Sequence, residues 1–169
     1  WTQLGEDING EAAYDYSGQS VSLSSDGKTL AIGAINNNGN GADSGHVRVY
    51  NYNGTEWTQL GGDIDGEASS EYSGHSVSLS SDGATVAIGA SGNDGIGTDS
   101  GHVRIYNYNG TAWTQLGEDI DGEAAYDYSG HSVSMSSDGK TIAIGAYIND
   151  GNGSNSGHVR IYNYNGTAW

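Results

Sequence analysis

The pentapeptide WTQLG begins at residues 1, 57 and 113, a fixed spacing of 56. Three copies fill residues 1–56, 57–112 and 113–168, and Trp169 opens a further one. Any two copies agree at about three positions in four, the signature of a repeat architecture. Self-similarity of this kind limits the fold to units that stack, because one short unit cannot bury its own flanks. It also governs how any local motif is read. The acidic stretch DIDGEAAYDYSGH at 119–131 has counterparts at 7–19 and 63–75, so it is one of three rather than a single active site.

Within a copy the hydrophobic period is two. SVSLS (20–24) alternates, Asp26-Gly27 follows, and TLAIGA (29–34) returns, which predicts a hairpin with type I′ turn chemistry. A loop of Asn, Asp and Gly spans 35–45. HVRVYNY (46–52) then alternates, Asn53-Gly54 makes a second tight turn, and TEWTQL (55–60) follows. Composition agrees with short strands and many turns: glycine reaches 29, and proline, cysteine and phenylalanine are absent. Without cysteine there is no disulfide frame and no thiolate chemistry. Four antiparallel strands per copy in a meander is the pattern of a propeller blade.

The run SGHSVSLSSDGKTLAIGA, an Asn/Asp/Gly loop, then SGHVRVYNYNGTxWTQLG resembles the FG-GAP, integrin-α-like, β-propeller repeats. YSGHSVS stands at that family's Phe-Gly start, and IGA at 32–34, 88–90 and 144–146 stands at its Gly-Ala-Pro. The resemblance implies an all-β propeller and an extracellular interaction domain. Two departures are plain. The proline is missing, and the family's aspartate-rich calcium loop is reduced to SSDG, with only Asp26, Asp82 and Asp138, so that site is not carried over. Three blades leave an edge open at each end. The expectation is therefore a ring completed by other copies of the chain, a homodimer giving six blades or a homotrimer giving nine. A β-trefoil, which closes as a monomer from three four-stranded copies, is the alternative fold. A fragment of a longer array, an engineered or reconstructed repeat protein, and a recently duplicated natural array are all consistent with such similar copies.

The formal net charge is −16, which repels nucleic acid and anionic lipid. No apolar run approaches the roughly 20 residues of a membrane span. In a meander, loops alternate between two faces. That sorting places 17 of the 21 acids on the face shared by the Asn/Gly-rich loop and the acidic loop. The copies differ most at 35–43, 91–99 and 147–155, so if any surface carries individual recognition, this face is the one expected to.

Acids Asp7, Glu11, Asp15, Asp63, Asp65, Glu67, Asp119, Asp121, Glu123 and Asp127 are the candidates for a calcium or other hard-cation site, since such ions collect carboxylate and carbonyl oxygens on flexible loops. The competing expectation, and the preferred one, is that they solubilise an exposed face and cap turn amides. Histidines 46, 75, 102, 131 and 158 each follow Ser-Gly, and Gln19 holds the sixth such position; all six are expected as hydrogen-bonding strand starts. Arg48, Arg104 and Arg160 are the only arginines, and ion pairing or stacking on Tyr or Trp between blades is expected of them. Tyr50, Tyr52, Trp57 and their equivalents are expected to fill outer blade edges. Sugar stacking is the specific ligand hypothesis. Ser, His and Asp abound, but no strained Gly-x-Ser-x-Gly elbow occurs. The Asn-Gly-Thr sequons at 53, 109 and 165 coincide with tight turns. Together these point to a binding or self-assembling scaffold with no cofactor, not an enzyme, with protein or glycan as the further partner.

Overall fold

A computed structural model describes residues 1–169, and every regular element in it is a strand. The first sheet contains β1 (Ser17–Leu23), β2 (Thr29–Ala34), β3 (His46–Tyr52), β4 (Trp57–Gln59) and β5 (Ile64–Asp65). The second repeats it as β6 (Ser73–Leu79), β7 (Thr85–Ala90), β8 (His102–Tyr108), β9 (Trp113–Gln115) and β10 (Ile120–Asp121). The third has β11 (Ser132–Met135), β12 (Thr141–Ala146) and β13 (His158–Asn163). All strand pairs are antiparallel, and no named strand pairs with a strand of another sheet. The three units therefore stack as separate sheets and do not close into the single barrel of a trefoil.

The alternation read from sequence sets which side chains meet between sheets. Ala31, Val47, Val49 and Ile64 leave the first sheet on one side and pack against Val77, Leu79, Val86 and Ile88 of the second. Ala87, Val103, Ile105 and Ile120 repeat the arrangement against Ile142 and Ile144 of the third. The core is thus two seams between sheets, not a centre within one. Serines make the close approach at the inner strands feasible. Leu79 N–H donates to Ser22 Oγ at 3.0 Å, and Met135 N–H donates to Ser78 Oγ at 3.0 Å. Gly33 and Gly89 have the same cause. A Cβ there would fall well inside contact distance of Gly74 O and Gly130 O, backbone atoms of the adjacent sheet.

Two local features differ from the sequence expectation. The Asp26-Gly27 turn is not type I′, because Gly27 (φ +69°) is left-handed and Asp26 is not. Gly27 N–H donates to Ser24 O at 2.9 Å, and Asp26 Oδ1 accepts from Ser24 Oγ and Lys28 N–H, so the aspartate side chain organises a type I turn with glycine at its last position. At Asn53-Gly54 only the glycine is left-handed, and Asn53 Oδ1 accepts from Thr55 and Glu56 N–H. The fourth strand is also longer than expected. It runs from Trp57 through Asp65 and pairs β3 in two pieces. Leu60 N–H donates to Val49 O, Ile64 sits opposite Val47, and Gly61–Asp63 bulge opposite Arg48.

Residues 1–10 match the fourth strand in sequence but pair with no strand. Side chains from the first sheet hold them: Trp57 Nε1–H donates to Leu4 O at 2.9 Å, and Arg48 Nη2–H donates to Asn9 O at 2.8 Å.

Candidate functional site

The Asn/Gly-rich loop and the acidic loop lie together on one face, as their alternation required. Asn40 Nδ2 donates to Gly66 O at 2.8 Å, Ser70 N–H to Ala42 O, and Tyr72 N–H to Asp43 O. Tight joining has a conformational cost. Tyr14, Tyr16, Ser70, Tyr72, Tyr126 and Tyr128 all take positive φ, flanking Asp15, Glu71 and Asp127. Those three central acids are buried and satisfied by the loops. Asp15 accepts from Ala12 N–H and Asn37 Nδ2, and Asp127 from Ala124 N–H and Asn149 Nδ2.

The remaining candidate acids do not gather within any one loop. Asp7 accepts from Gln3 Nε2 at the surface. Asp65 and Asp121 supply backbone carbonyls to Arg104 and Arg160, while their neighbours at 63 and 119 turn towards histidines. The structure brings together Glu11, His46 and Asp63 in one group and Glu67, His102 and Asp119 in a second. Each group takes its glutamate from the loop leading into a sheet and its aspartate from the bulge leaving it. Glu123 and His158 form the same pair at 3.6 Å in the third sheet.

The histidines split into two classes that a shared Ser-Gly prefix conceals. His46, His102 and His158 begin third strands beside these carboxylates. His46 and His102 have only 2% of their side chains exposed. His75 and His131, with Gln19 as their counterpart, lie near first strands and stack on each other at 4.6 Å between centroids. Burial, then the charge of His131, pushes the His75 imidazole below the usual histidine range. His131 also stacks on Tyr147 at 4.3 Å. A cleft of about 280 Å³ is lined by Ile35, Tyr72, His75, Tyr128, His131 and Tyr147. Positions 35, 91 and 147 differ between copies, so this cleft carries the variation that the sequence placed on this face.

Arginines behave as their strand position required. Arg104 stacks over Tyr106 (5.6 Å), donates to Asp65 O (2.9 Å) and pairs with Glu67 (3.1 Å). Tyr108 and Trp113 fill the outer edge at 5.2 Å between centroids, as do Tyr52 and Trp57.

The FG-GAP repeat model matches residues 9–50 and 120–162, just over half of the chain. The chain belongs to the FG-GAP repeat family. Among curated proteins, none matches it. Solved structures share the fold of this FG-GAP protein. Hydrazine synthase of Kuenenia stuttgartiensis aligns with TM-score 0.50 at 14% identity, over 94% of this chain and 36% of that one. The periplasmic gluconolactonase PpgL of Pseudomonas aeruginosa aligns with TM-score 0.55 at 17% identity, over 86% of this chain and 39% of that one. The FG-GAP chain thus spans less than two-fifths of either neighbour. Both neighbours are named as enzymes, and this corrects the expectation that the chain is no enzyme: the fold occurs in catalysts. At these identities the likeness establishes an all-β, propeller-like fold and assigns no activity to this chain.

Proposed function

We propose that this FG-GAP protein is a three-bladed propeller segment that works by self-assembly, with two copies closing a six-bladed ring that presents acidic loops on one face. The observation that carries this reading is the state of the two outer flanks. Val103 and Ile105 are fully buried in a seam, yet their equivalents Val159 and Ile161 are 64% and 71% exposed. Val77 and Leu79 are buried, yet Val21 and Leu23 are 61% and 56% exposed. The two bare flanks are the two halves of one seam that the chain builds twice internally. Each aliphatic side chain gains about 1.5–3 kcal/mol when such a seam closes over it.

Residues 1–10 supply the missing strand in this reading. The 56-residue period aligns Gln3 with Gln59 and Gln115, which pair with Tyr50 and Tyr106, so Gln3 of a second copy would oppose Tyr162. A ring of two chains uses the same flank-to-flank contact twice and leaves no edge. Six blades fall within the usual range of roughly four to eight, and nine do not.

Light scattering on the eluting chain tests the proposal. A species of twice 17.5 kDa is expected. Ile161→Asp, on a side chain exposed in the single chain, is expected to give a folded monomer. A wild-type monomer at tens of micromolar concentration overturns the ring.

A second reading rests on the loop-face cleft. Its stacked Tyr and His rings offer apolar faces rimmed by polar tips, the pattern that receives a neutral sugar ring. A glycan array is expected to return hits that Tyr147→Ala abolishes, and an array without hits rejects this reading.

A further inference from the structure

The buried histidines His46 and His102 face carboxylates from two directions without a hydrogen bond at Nδ1. His46 Nδ1 lies 3.9 Å from Glu11 Oε2 and 3.9 Å from Asp63 Oδ2. His102 Nδ1 lies 3.6 Å from Asp119 Oδ2, with a Glu67 oxygen in the same group. Within each triad the three ligand atoms lie within 4.8 Å of one another. An ion between atoms so spaced would be about 2–2.5 Å from each, close to the distances at which histidine nitrogen and carboxylate oxygen bind zinc.

Acidic clusters are common on such a face, and the buried imidazole sets these two apart. Each imidazole is a side chain 2% exposed whose Nδ1 makes no hydrogen bond and faces two carboxylates, an arrangement that a proton or a bound cation between them would satisfy. The second triad also fixes which nitrogen is free. His102 Nε2 lies 2.7 Å from Glu71 Oε1, off the line of a well-formed hydrogen bond. A carboxylate oxygen that close to a bare lone pair would be repelled, which favours a proton on Nε2, and a cation held between Asp119 and Glu67 would take up the lone pair of Nδ1. A carboxylate behind the distal nitrogen is the arrangement that orients metal-binding histidines. Glu71 is itself anchored by Ala68 N–H at 2.9 Å. The glutamate ligand is divided in the same way. Glu11 turns Oε1 towards Arg48 (3.6 Å) and Oε2 towards His46.

We propose that Glu11–His46–Asp63 and Glu67–His102–Asp119 are two binding sites for a borderline divalent cation of the zinc class. One nitrogen and two carboxylates suit that class, whereas calcium takes six to eight oxygens. Each triad ties the loop entering a sheet to the bulge leaving it, so a bound cation would staple the fourth strand to the preceding connection. Both triads lie within a single chain, so the inference stands independently of ring closure. The second site is the tighter, because Glu71 reaches His102 while the shorter Asp15 makes no such contact with His46.

Calorimetric titration of the intact protein with Zn²⁺, after chelator treatment, tests this. Saturable binding is expected. Asp119→Asn and Asp63→Asn, both on partly exposed side chains, are each expected to remove one equivalent or weaken it at least tenfold. Glu71→Gln is expected to weaken the tighter equivalent by about 10–100-fold. Asp15→Glu, which recreates the second site's arrangement in the first, is expected to strengthen the weaker one. Co²⁺ in place of Zn²⁺ is expected to give visible absorption that the Asp63→Asn/Asp119→Asn double variant loses. No saturation below millimolar Zn²⁺, or binding that the double variant leaves unchanged, overturns the proposal.

Discussion

Trp113 Nε1–H donates to the Leu60 carbonyl at 2.9 Å, joining the outer strands of two neighbouring sheets. Trp57 makes the same bond to Leu4 O, and Trp169 makes it to Leu116 O at 2.7 Å. The repeated tryptophan is therefore a fastener between units as well as edge filling. Trp113→Phe keeps most of the ring and removes the donor. A loss of about 1 kcal/mol is expected, a lowering of the melting temperature by roughly 2–4 °C. Trp57→Phe is expected to cost less, since its partner segment 1–10 pairs with no strand. Thermal unfolding of the two variants side by side checks the order.

The glycine of IGA separates internal seams from the open flank. At Gly89 a methyl group would collide with backbone O of Gly130, which cannot move without parting two sheets. Gly89→Ala is expected to prevent folding or cost several kcal/mol, as overpacking against backbone does. At Gly145 a methyl group crowds Ser132 Oγ in its own sheet and meets no further sheet. Gly145→Ala is expected to fold and, if the ring forms, to block its closure. Circular dichroism and light scattering on both variants would read the contrast.

The SSDG turns give a pH dependence with a definite sign. The hydrogen bond from Ser80, then Ala84 N–H, holds the Asp82 carboxyl below the usual aspartate range. Asp26 and Asp138 are lowered in the same way by Ser24 and Ser136, then by the backbone of Lys28 and Lys140. A carboxyl lowered on folding contributes stability above its unfolded value near 3.9, and that stability is lost as pH falls through the folded value. The melting temperature is expected to drop as pH falls below about 4. The Asp26→Asn/Asp82→Asn/Asp138→Asn variant should be less stable at pH 7 and show a shallower acid drop. An equally steep drop in both would show that other groups dominate.

Salt acts on the proposed ring through the net charge of −16. The seam is apolar and the chains repel each other, so screening removes an opposing term and leaves the favourable one. The dimer's dissociation constant is expected to fall as NaCl rises from about 20 to 300 mM, where the Debye length shortens to several ångströms. Sedimentation equilibrium at the two salt concentrations measures it, and weaker association at high salt would indicate charge pairing across the seam.

The 56-residue period and the two-residue alternation by themselves determined the all-β units, three of the four strand positions almost to the residue, the pairing of the two loops on one face, and the arginine's place between units. These follow from local rules, because side chains alternate along any strand whatever lies beyond it. The bulge at Gly61–Asp63, the two histidine classes and the triads were decided only by the tertiary structure. His46 and His75 share a Ser-Gly prefix, yet one faces Glu11 and Asp63 while the other stacks on His131, because one begins a third strand and the other lies near the inner seam. Glu11 and Asp63 belong to different repeats, and nothing local marks them as neighbours. Their meeting depends on the fourth strand returning beside β3 and the loop that leads into the same sheet, a closure that only the assembled sheet provides.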